Sequence, residues 1–244
     1  MQRATIFGSE AERYDRFRPG YPSEIIDRVV ELQPTTAVDA GCGTGKAATL
    51  VARRGICVVG VEPDLRMAEI ARRHGIDVTL SRLEDWDVVE CDALYSAQAW
   101  HWIDPVRGAE IAGASIRPGG RWAAFWNDET DKEFGAARDR VYRRLAPELL
   151  DQRLSSDEDD FRAAIADGLR ATNLFDELVA DHVVWVDHVE VEVAVERLAS
   201  HSSHRLLERN LSASITEALQ AELGAPTDVI DLSYTTRIFT ADRR

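Results

Sequence analysis

The sequence predicts an α/β fold with a doubly wound, mostly parallel sheet. Short apolar runs alternate with amphipathic stretches through the first half of the chain, a glycine-rich turn joins one run to a helix, and the run at 57–62 is apolar up to its final glutamate. Strands that alternate with helices form parallel sheets with right-handed crossovers and helices on both faces. The length of 244 residues suits one large domain.

The first half of the chain carries the predicted elements in regular order. Ser23 is expected to cap a helix that Pro34 ends. Asp104 and Pro105 are expected to form a cap and first-turn pair for a later helix. The other predicted elements are strands at 37–40, 57–62, 78–80, 93–96 and 121–126, helices at 46–54 and 64–74, and a turn at 117–120.

The second half is predicted to be helical before it returns to strands. Residues 130 to about 173 are charge-rich and helical in pattern, with an acidic helix start at 157–160 that suits the helix dipole. From about Glu190 the apolar residues follow helical spacing, although the valines also alternate as in a strand, and we prefer the helix. The remaining predicted elements are a strand at 178–186, a helix at 214–223 and a strand at 229–239.

Composition excludes several classes of function. With 29 basic and 43 acidic residues the net charge is −14, which disfavours binding to nucleic acid or to an anionic membrane. No apolar stretch reaches membrane-spanning length and the N-terminus lacks a secretion signal, so we expect a cytoplasmic protein. Cys42, Cys57 and Cys91 match no zinc spacing, and reduced thiols are expected.

The strongest motif is Val38-Asp39-Ala40-Gly41-Cys42-Gly43-Thr44-Gly45. Its glycines allow positive φ and a close approach of the backbone to a ligand, and the following helix directs amides to the same place. Glu62 ends the next strand, where an acid can accept both hydroxyls of a ribose. The pattern therefore predicts a site for an adenosine-like ligand.

The glycine spacing differs from the G-x-G-x-x-G of dinucleotide sites, because here the pattern is G-x-G-x-G with an acid two residues before it. Asp39 to Gly45 resembles the first motif of class I S-adenosylmethionine-dependent methyltransferases, and Val61-Glu62-Pro63-Asp64-Leu65-Arg66-Met67 resembles their second. A purely structural glycine turn and a nicotinamide site remain as alternatives. The resemblance implies S-adenosyl-L-methionine as cofactor, S-adenosyl-L-homocysteine as product, and no metal.

A segment near the N-terminus adds to this resemblance. Tyr14-Asp15-Arg16-Phe17-Arg18-Pro19-Gly20-Tyr21-Pro22 is similar to the segment that covers the cofactor in small-molecule methyltransferases of the trans-aconitate methyltransferase type. Tyr14 and Arg18 would then contact the methionine carboxylate, since arginine binds carboxylates through a bidentate fork. An ordinary surface helix is the alternative. The full predicted cofactor-binding set is Tyr14, Arg18, Asp39, Gly41, Cys42, Gly43, Thr44, Gly45, Glu62, Pro63, Met67, Leu83, Glu84, Ser96 and Ala97.

The acceptor site is predicted from the loop after the fourth strand and from a later helix. His101 is the candidate general base, because its ordinary pKa lies near neutrality, although the histidine and its flanking tryptophans could instead only shape the pocket. His201 and His204 stand three residues apart, but no third metal ligand is evident. The predicted substrate-binding residues are Tyr21, Trp100, His101, Trp102, His201 and Arg205.

The resemblance implies a Rossmann-like, seven-stranded sheet with an antiparallel last strand and helical lid insertions. We expect a single methyltransferase domain over 1–244, with cofactor-covering helices in 1–35, the cofactor-binding core in 36–127, and the lid and last strands in 128–244. The expected reaction is in-line methyl transfer to an oxygen (a carboxylate included), nitrogen or carbon of a small molecule. A non-catalytic S-adenosylmethionine-binding module and an NAD-dependent oxidoreductase are the alternatives. The expected assembly is a monomer or homodimer.

Overall fold

The computed structural model describes residues 11–150, 158–200, 204 and 207–244. Seven strands form one sheet in the order β3-β2-β1-β4-β5-β7-β6. The first five strands pair in parallel, and β7 runs antiparallel to both of its neighbours. The predicted fold class is therefore confirmed, including the antiparallel last strand. The strands are β1 (Thr36–Ala40), β2 (Cys57–Glu62), β3 (Asp77–Leu80), β4 (Cys91–Ala97), β5 (Ile116–Glu129), β6 (Val179–Glu190) and β7 (Val229–Asp242).

The helices connect these strands and cover both faces of the sheet. Short 3₁₀ turns at Leu83–Asp85 and Trp100–Trp102 follow β3 and β4. The α-helices of the described residues are α1 (Ala11–Phe17), α2 (Ser23–Val29), α3 (Lys46–Ala52), α4 (Leu65–Arg73), α5 (Pro105–Ser115), α6 (Lys132–Leu145), α7 (Glu158–Thr172), α8 (Val191–Ala199) and α9 (Arg209–Leu223). In that part of the chain, no helix has the combination of length and apolarity that a membrane crossing requires.

Three apolar clusters stabilise this arrangement. Trp100 and Trp122 lie in the cluster on one face of the sheet, and Trp86 joins them. The cluster on the other face includes Ile25 and Tyr95. A third cluster joins α6, α8 and α9, which we call the lid, to β6 and β7. Each large apolar side chain buried in this way contributes about 1.5–3 kcal/mol.

Several element boundaries differ from the sequence predictions. Ser23 is the first helical residue of α2 rather than its cap, its hydroxyl donates to Glu24, and the helix ends at Val29 without reaching Pro34. The expected turn at 117–120 lies inside β5, where the pairing with β4 shifts register. The register passes from Cys91–Ile116 to Ala93–Arg121, so residues 117–120 form an irregular excursion within the strand, where Gly119 keeps a turn-like φ of 81°. Asp104 caps α5 as predicted, because its carboxylate accepts from the amides of Val106 and Arg107.

The strand order places a switch point between β1 and β4. The strand β1 pairs in parallel with β2 on one side and with β4 on the other. Open α/β sheets bind ligands beyond the carboxyl ends of the strands at such a point. A ligand site is therefore expected at the loops that follow Ala40 and Ala97.

Candidate active site

The loop after β1 has a backbone shape that glycine adopts without strain. Gly41, Gly43 and Gly45 have φ values of 73°, 55° and 83°. A Cβ added at Gly41 would lie 2.6 Å from the Cβ of Ala99, so the neighbouring loop requires a glycine there. A Cβ at Gly43 would meet only the Met67 sulfur, at 3.9 Å, so this part of the loop borders open space. The loop is tightly packed behind Gly41 and open to a ligand at Gly43.

Glu62, at the end of β2, braces the glycine loop. One carboxylate oxygen accepts from the Gly43 amide at 2.9 Å and the other accepts from the Asp64 amide at 2.9 Å. Burial raises the pKa of Glu62 to about 7, although these backbone bonds act to lower it. Each carboxylate oxygen has further lone pairs, so the same acid can also accept from ligand hydroxyls.

Unpartnered polar atoms are concentrated beside this loop. Both carboxylate oxygens of Asp39, the Thr44 hydroxyl and the Tyr95 hydroxyl are buried without a hydrogen-bond partner among the described residues. Burial raises the pKa of Asp39 to about 8. The Tyr95 hydroxyl and the Ala48 amide, which approach the carboxylate outside hydrogen-bond geometry, act to lower this pKa, and the negative charge of Glu62 acts to raise it. Because buried polar groups without partners are costly, this cluster indicates a polar ligand.

The segment from α1 to α2 is fastened over the sheet by contacts with distant elements. Arg197 on α8 donates through Nε to the Phe17 carbonyl at 2.8 Å. Asn127 on β5 donates to the Gly20 carbonyl at 2.8 Å. Arg18 stacks over the Tyr14 ring with its guanidinium carbon 5.1 Å from the ring centre. The interpretation of this segment as a cover over the glycine loop therefore fits the structure better than an independent surface helix.

These parts enclose an open cleft of about 420 Å³, which we call the glycine-loop cleft. The N-terminal segment forms one wall, and the loops after β1 and β4 form the other. Its lining residues are Tyr14, Arg18, Pro19, Tyr21, Gly41, Cys42, Gly43, Thr44, Lys46, Ala47, Ala97 and Gln98. Eight of them belong to the predicted cofactor and substrate sets: Tyr14, Arg18, Tyr21, Gly41, Cys42, Gly43, Thr44 and Ala97. Gly45 follows Thr44 in the chain as the N-cap of α3.

A second cleft, also about 420 Å³, lies between the sheet and the lid, and we call it the lid cleft. It shares Arg18, Pro19 and Gln98 with the glycine-loop cleft, so the two spaces adjoin. Most of its exposed lining is apolar, with a few polar groups among the apolar side chains. Its other lining residues are Asn127, Glu129, Phe134, Ala194, Arg197, Leu198, Leu232 and Tyr234.

The polar groups of the lid cleft are held by partners on different elements. Arg197 pairs with Asp187 at 2.7 Å and donates to the Tyr234 hydroxyl at 3.4 Å. Glu129 forms a buried ion pair with Arg138 of α6. These contacts fix the polar groups against the apolar wall, as expected for a pocket that orients a small ligand.

Apart from Arg18, a predicted cofactor contact, the sequence predictions contain none of this lining. Asn127 and Glu129 end β5, and polar residues at a strand's carboxyl end are the one signal that could have found them. Gln98 follows β4 and has a φ of 61°, which is unusual for a residue with a side chain. Arg197 and Tyr234 reach the cleft only through tertiary packing, and no local pattern marks them.

Two predicted ligand-binding side chains lie in the core instead. Ser96 is fully buried and its hydroxyl donates to the Ala40 carbonyl at 2.8 Å, so it ties β4 to β1. Trp100 is 2% exposed and packs edge-on against Trp122 at 4.9 Å, so its side chain belongs to the core, and the substrate contact stays a prediction. Ser96 lies in the last part of β4 and Trp100 lies three residues after its end, where the neighbours of the sheet still bury the side chain.

The remaining predicted cofactor residues surround the glycine loop at various depths. Leu83 and Met67 are buried, the latter beneath the glycine loop and beside Tyr14. Pro63 is half-buried next to Glu62. Glu84 accepts from the Asp104 amide at 3.2 Å and from Arg82. They stay predictions, as does the wider cofactor set.

His101 has the features of a hydrogen-bond donor rather than a base. Its Nδ1 accepts from the Trp126 indole at 3.1 Å, which leaves the proton on Nε2. Desolvation beside Trp102 and Trp126 lowers its pKa to about 4. Neither His101 nor Trp102 lines either cleft, and Trp102 is 37% exposed.

The other predicted acceptor residues, His201 and Arg205, lie outside the described residues. Between them, His204 is buried in the lid, where its Nε2 and the Tyr142 hydroxyl form a hydrogen bond. Burial, helped by Arg138, lowers the pKa of His204 to about 4. In the described part of the chain, no group of three or more His, Cys, Asp or Glu side chains could hold a metal ion.

Comparison with known proteins identifies the family. The family described as a methyltransferase domain matches residues 37–120. An uncharacterized methyltransferase of Mycobacterium tuberculosis (strain ATCC 25618 / H37Rv) is 30% identical over 201 residues, which cover 80% of this chain and 76% of that protein. The chain therefore belongs to the class I S-adenosylmethionine-dependent methyltransferases, and it is an enzyme of that class.

Solved structures agree with this assignment. A candidate type II methyltransferase from Anaeromyxobacter dehalogenans is similar with a TM-score of 0.67 and 26% identity, over 93% of this chain and 98% of that one. The fold also matches phosphoethanolamine N-methyltransferase 2 of Haemonchus contortus in complex with phosphomonomethylethanolamine and S-adenosylhomocysteine, with a TM-score of 0.56 and 13% identity, over 99% of this chain and 60% of that one. The predicted family is thus confirmed, and the trans-aconitate-like branch stays a prediction.

The residues of the glycine-loop cleft fit the cofactor of this family. Glu62 can accept from ribose hydroxyls, and the unpartnered oxygens of Asp39 can accept from an ammonium group. Arg18 offers guanidinium donors to a carboxylate, and its buried Nε has no partner among the described residues.

Proposed function

We propose that this enzyme transfers the methyl group of S-adenosylmethionine, bound in the glycine-loop cleft, to a small molecule bound in the lid cleft. The observation that carries the proposal is the shared wall of Arg18, Pro19 and Gln98. A methyl donor in one cleft and an acceptor in the other would meet at this wall. Much of the rate of such a displacement comes from holding the reacting atoms in line.

The bound cofactor supplies an electrophilic methyl group on a sulfonium. The residues proposed to hold it are Glu62 for the ribose, Asp39 for the ammonium group, and Tyr14 and Arg18 for the carboxylate. This assignment is supported by the buried unpartnered oxygens of Asp39 and by the place of Arg18 in the cleft wall.

The lid cleft favours an acceptor with an apolar body and one polar group. Its walls combine Phe134, Leu198 and Leu232 with the polar side chains of Asn127 and Arg197. An acceptor that is already ionised, such as a carboxylate, needs no base, in keeping with the lowered pKa of His101. Oxygen, nitrogen and carbon acceptors all belong to this proposal, as do a cytoplasmic location, a monomer or homodimer, and no nucleic-acid or membrane partner.

Calorimetric titration tests the proposal first. The purified enzyme is titrated with S-adenosylmethionine, S-adenosylhomocysteine and NAD in parallel, and we expect saturable binding of the first two alone. Candidate acceptors with an apolar body are then incubated with enzyme and S-adenosylmethionine, and methylated products are detected by mass spectrometry. Binding of NAD in place of the methyl compounds would support an oxidoreductase, and cofactor binding without any product would support a non-catalytic module.

A further inference from the structure

Lys46 is a charged side chain in the glycine-loop cleft that the sequence motifs leave without a role. It is the first residue of α3, directly after Gly45, and it is half-buried in the cleft wall. The chain has only one other lysine, Lys132, which is also the first residue of its helix but is exposed. The two lysines thus have the same local position and different surroundings.

Within the part of the chain that the structure describes, no ion pair balances the charge of Lys46. No acidic oxygen of the described residues lies within 4.0 Å of its ammonium group, whereas Arg197 and Arg138 on the lid-cleft side have acidic partners. Burial lowers the pKa of Lys46, the Asp15 charge acts to raise it, and the Arg197 charge acts to lower it. A half-buried cation in a cleft is stabilised by an anion that enters that cleft.

The other polar groups of the cleft indicate which anion this is. The cations Lys46 and Arg18 line the cleft and suit an anion. The carboxylate of Asp39 is buried outside this lining, two residues before Gly41, and suits a cation, so the cleft and its immediate surroundings offer both partners of a zwitterion. The amino-acid end of the cofactor carries an ammonium group and a carboxylate on one carbon. Lys46 and Arg18 both line this cleft, while Glu62 braces the loop at Gly43.

We propose that Lys46 binds the carboxylate of the cofactor's amino-acid end, together with Arg18. The assignment rests on the proposed function, since it takes S-adenosylmethionine to occupy this cleft. Lys46 would then strengthen the binding of ligands that carry an amino-acid end. It would not affect the binding of ligands that carry only the adenosine and sulfur.

The test compares two ligands that differ in that end. S-adenosylhomocysteine has the carboxylate, and 5′-methylthioadenosine lacks the whole amino-acid part. Dissociation constants for both are measured by calorimetry on the wild-type enzyme, on Lys46→Gln and on the matched control Lys132→Gln. We expect Lys46→Gln to weaken S-adenosylhomocysteine binding about tenfold, with 5′-methylthioadenosine unchanged within about twofold, since one charge-assisted contact is lost. Lys46→Arg restores most of the affinity, and Lys132→Gln changes neither ligand.

Amine labelling gives a second readout that does not depend on a variant. Acetylation of the wild-type protein, followed by peptide mass spectrometry, reports Lys46 and Lys132 separately because they are the only two lysines. S-adenosylhomocysteine should protect Lys46 and leave Lys132 reactive. Equal weakening of both ligands by Lys46→Gln, or no weakening of either, overturns the assignment while the proposed function stands. If the wild-type enzyme binds neither ligand, the proposed function fails, and this assignment fails with it.

Discussion

The glycine-loop cleft and the lid cleft are built in opposite ways. The first takes most of its floor from the contiguous stretch 41–47 and closes it with the N-terminal segment. The second gathers side chains from Arg18 to Tyr234, on β5, β7, α6 and α8. The local sequence therefore determines the backbone shape of the glycine-loop cleft. In the lid cleft, tertiary packing positions nearly every side chain. The two should respond to different kinds of substitution.

The largest expected effect is on the lid side. Arg138→Met leaves the Glu129 carboxylate buried without its cation, which we expect to cost about 3–5 kcal/mol of stability. Urea denaturation measures this cost. The control is Arg140→Met on the same helix, whose pair with Glu222 is more exposed and should contribute less than about 1 kcal/mol. Equal effects of the two variants would show that burial does not distinguish these pairs.

Gly41→Ala is the corresponding substitution in the glycine loop. Positive φ costs a side-chain residue about 1–2 kcal/mol and the contact with Ala99 adds a comparable amount, so we expect a loss of about 3 kcal/mol and of cofactor binding. Gly55→Ala separates the two causes, because Gly55 also has positive φ but no atom near its added Cβ. If Gly41→Ala and Gly55→Ala lose the same free energy of unfolding, the contact with Ala99 does not contribute to the cost.

Asp39 gives the glycine-loop cleft a pH dependence close to neutrality. Its folded pKa of about 8 lies above the ordinary value, so its contribution to stability is lost as pH rises toward and through 8. Between pH 7 and pH 8 the free energy of unfolding of the unliganded enzyme should fall by about 1 kcal/mol. A folded state that holds one more proton than the unfolded state loses about 1.4 kcal/mol of stability per pH unit. Urea midpoints at both pH values should differ for the wild type and much less for Asp39→Asn. If the urea midpoints of Asp39→Asn differ between the two pH values as much as those of the wild type, another group causes the pH dependence.

Ser96→Ala tests whether this residue belongs to the core rather than to the cofactor. Loss of its buried hydrogen bond to Ala40 should cost about 1 kcal/mol and leave S-adenosylhomocysteine affinity unchanged. Ser115→Ala is the matched control, because its buried hydroxyl donates to the Ile111 carbonyl far from both clefts. If Ser96→Ala weakens S-adenosylhomocysteine binding clearly and Ser115→Ala does not, Ser96 contributes to the cofactor site.

The smallest effect is expected for His101→Gln. The ring is neutral above about pH 5 and lies outside both cleft linings, so turnover of a validated acceptor should stay within about twofold and show no inflection near pH 6.5. The exposed His188 provides a control substitution. A large fall in turnover with unchanged cofactor affinity would reinstate His101 as the base.

The sequence predicted the glycine-loop side well because its signals are local. Glycine spacing, Glu62 at a strand end and the alternation of strands and helices each reflect the backbone of one segment. It failed where burial depends on distant neighbours. Trp100 lies at a strand end yet packs on Trp122, and Arg197 reaches its cleft through β6 and β7 contacts.

The strand order has a consequence for protein engineering. The strands β1 and β2, which carry the glycine loop and Glu62, are separated from β7 and β6 by β4 and β5. A chimera that exchanges the chain after Glu129 for that of a relative would replace the lid and both terminal strands while keeping the donor-binding loop. Its junction falls at the end of β5, so the lid-cleft residues of α6, α8 and β7 would be exchanged together, while Arg18, Pro19, Gln98, Asn127 and Glu129 would stay with the core and need adjusting to match.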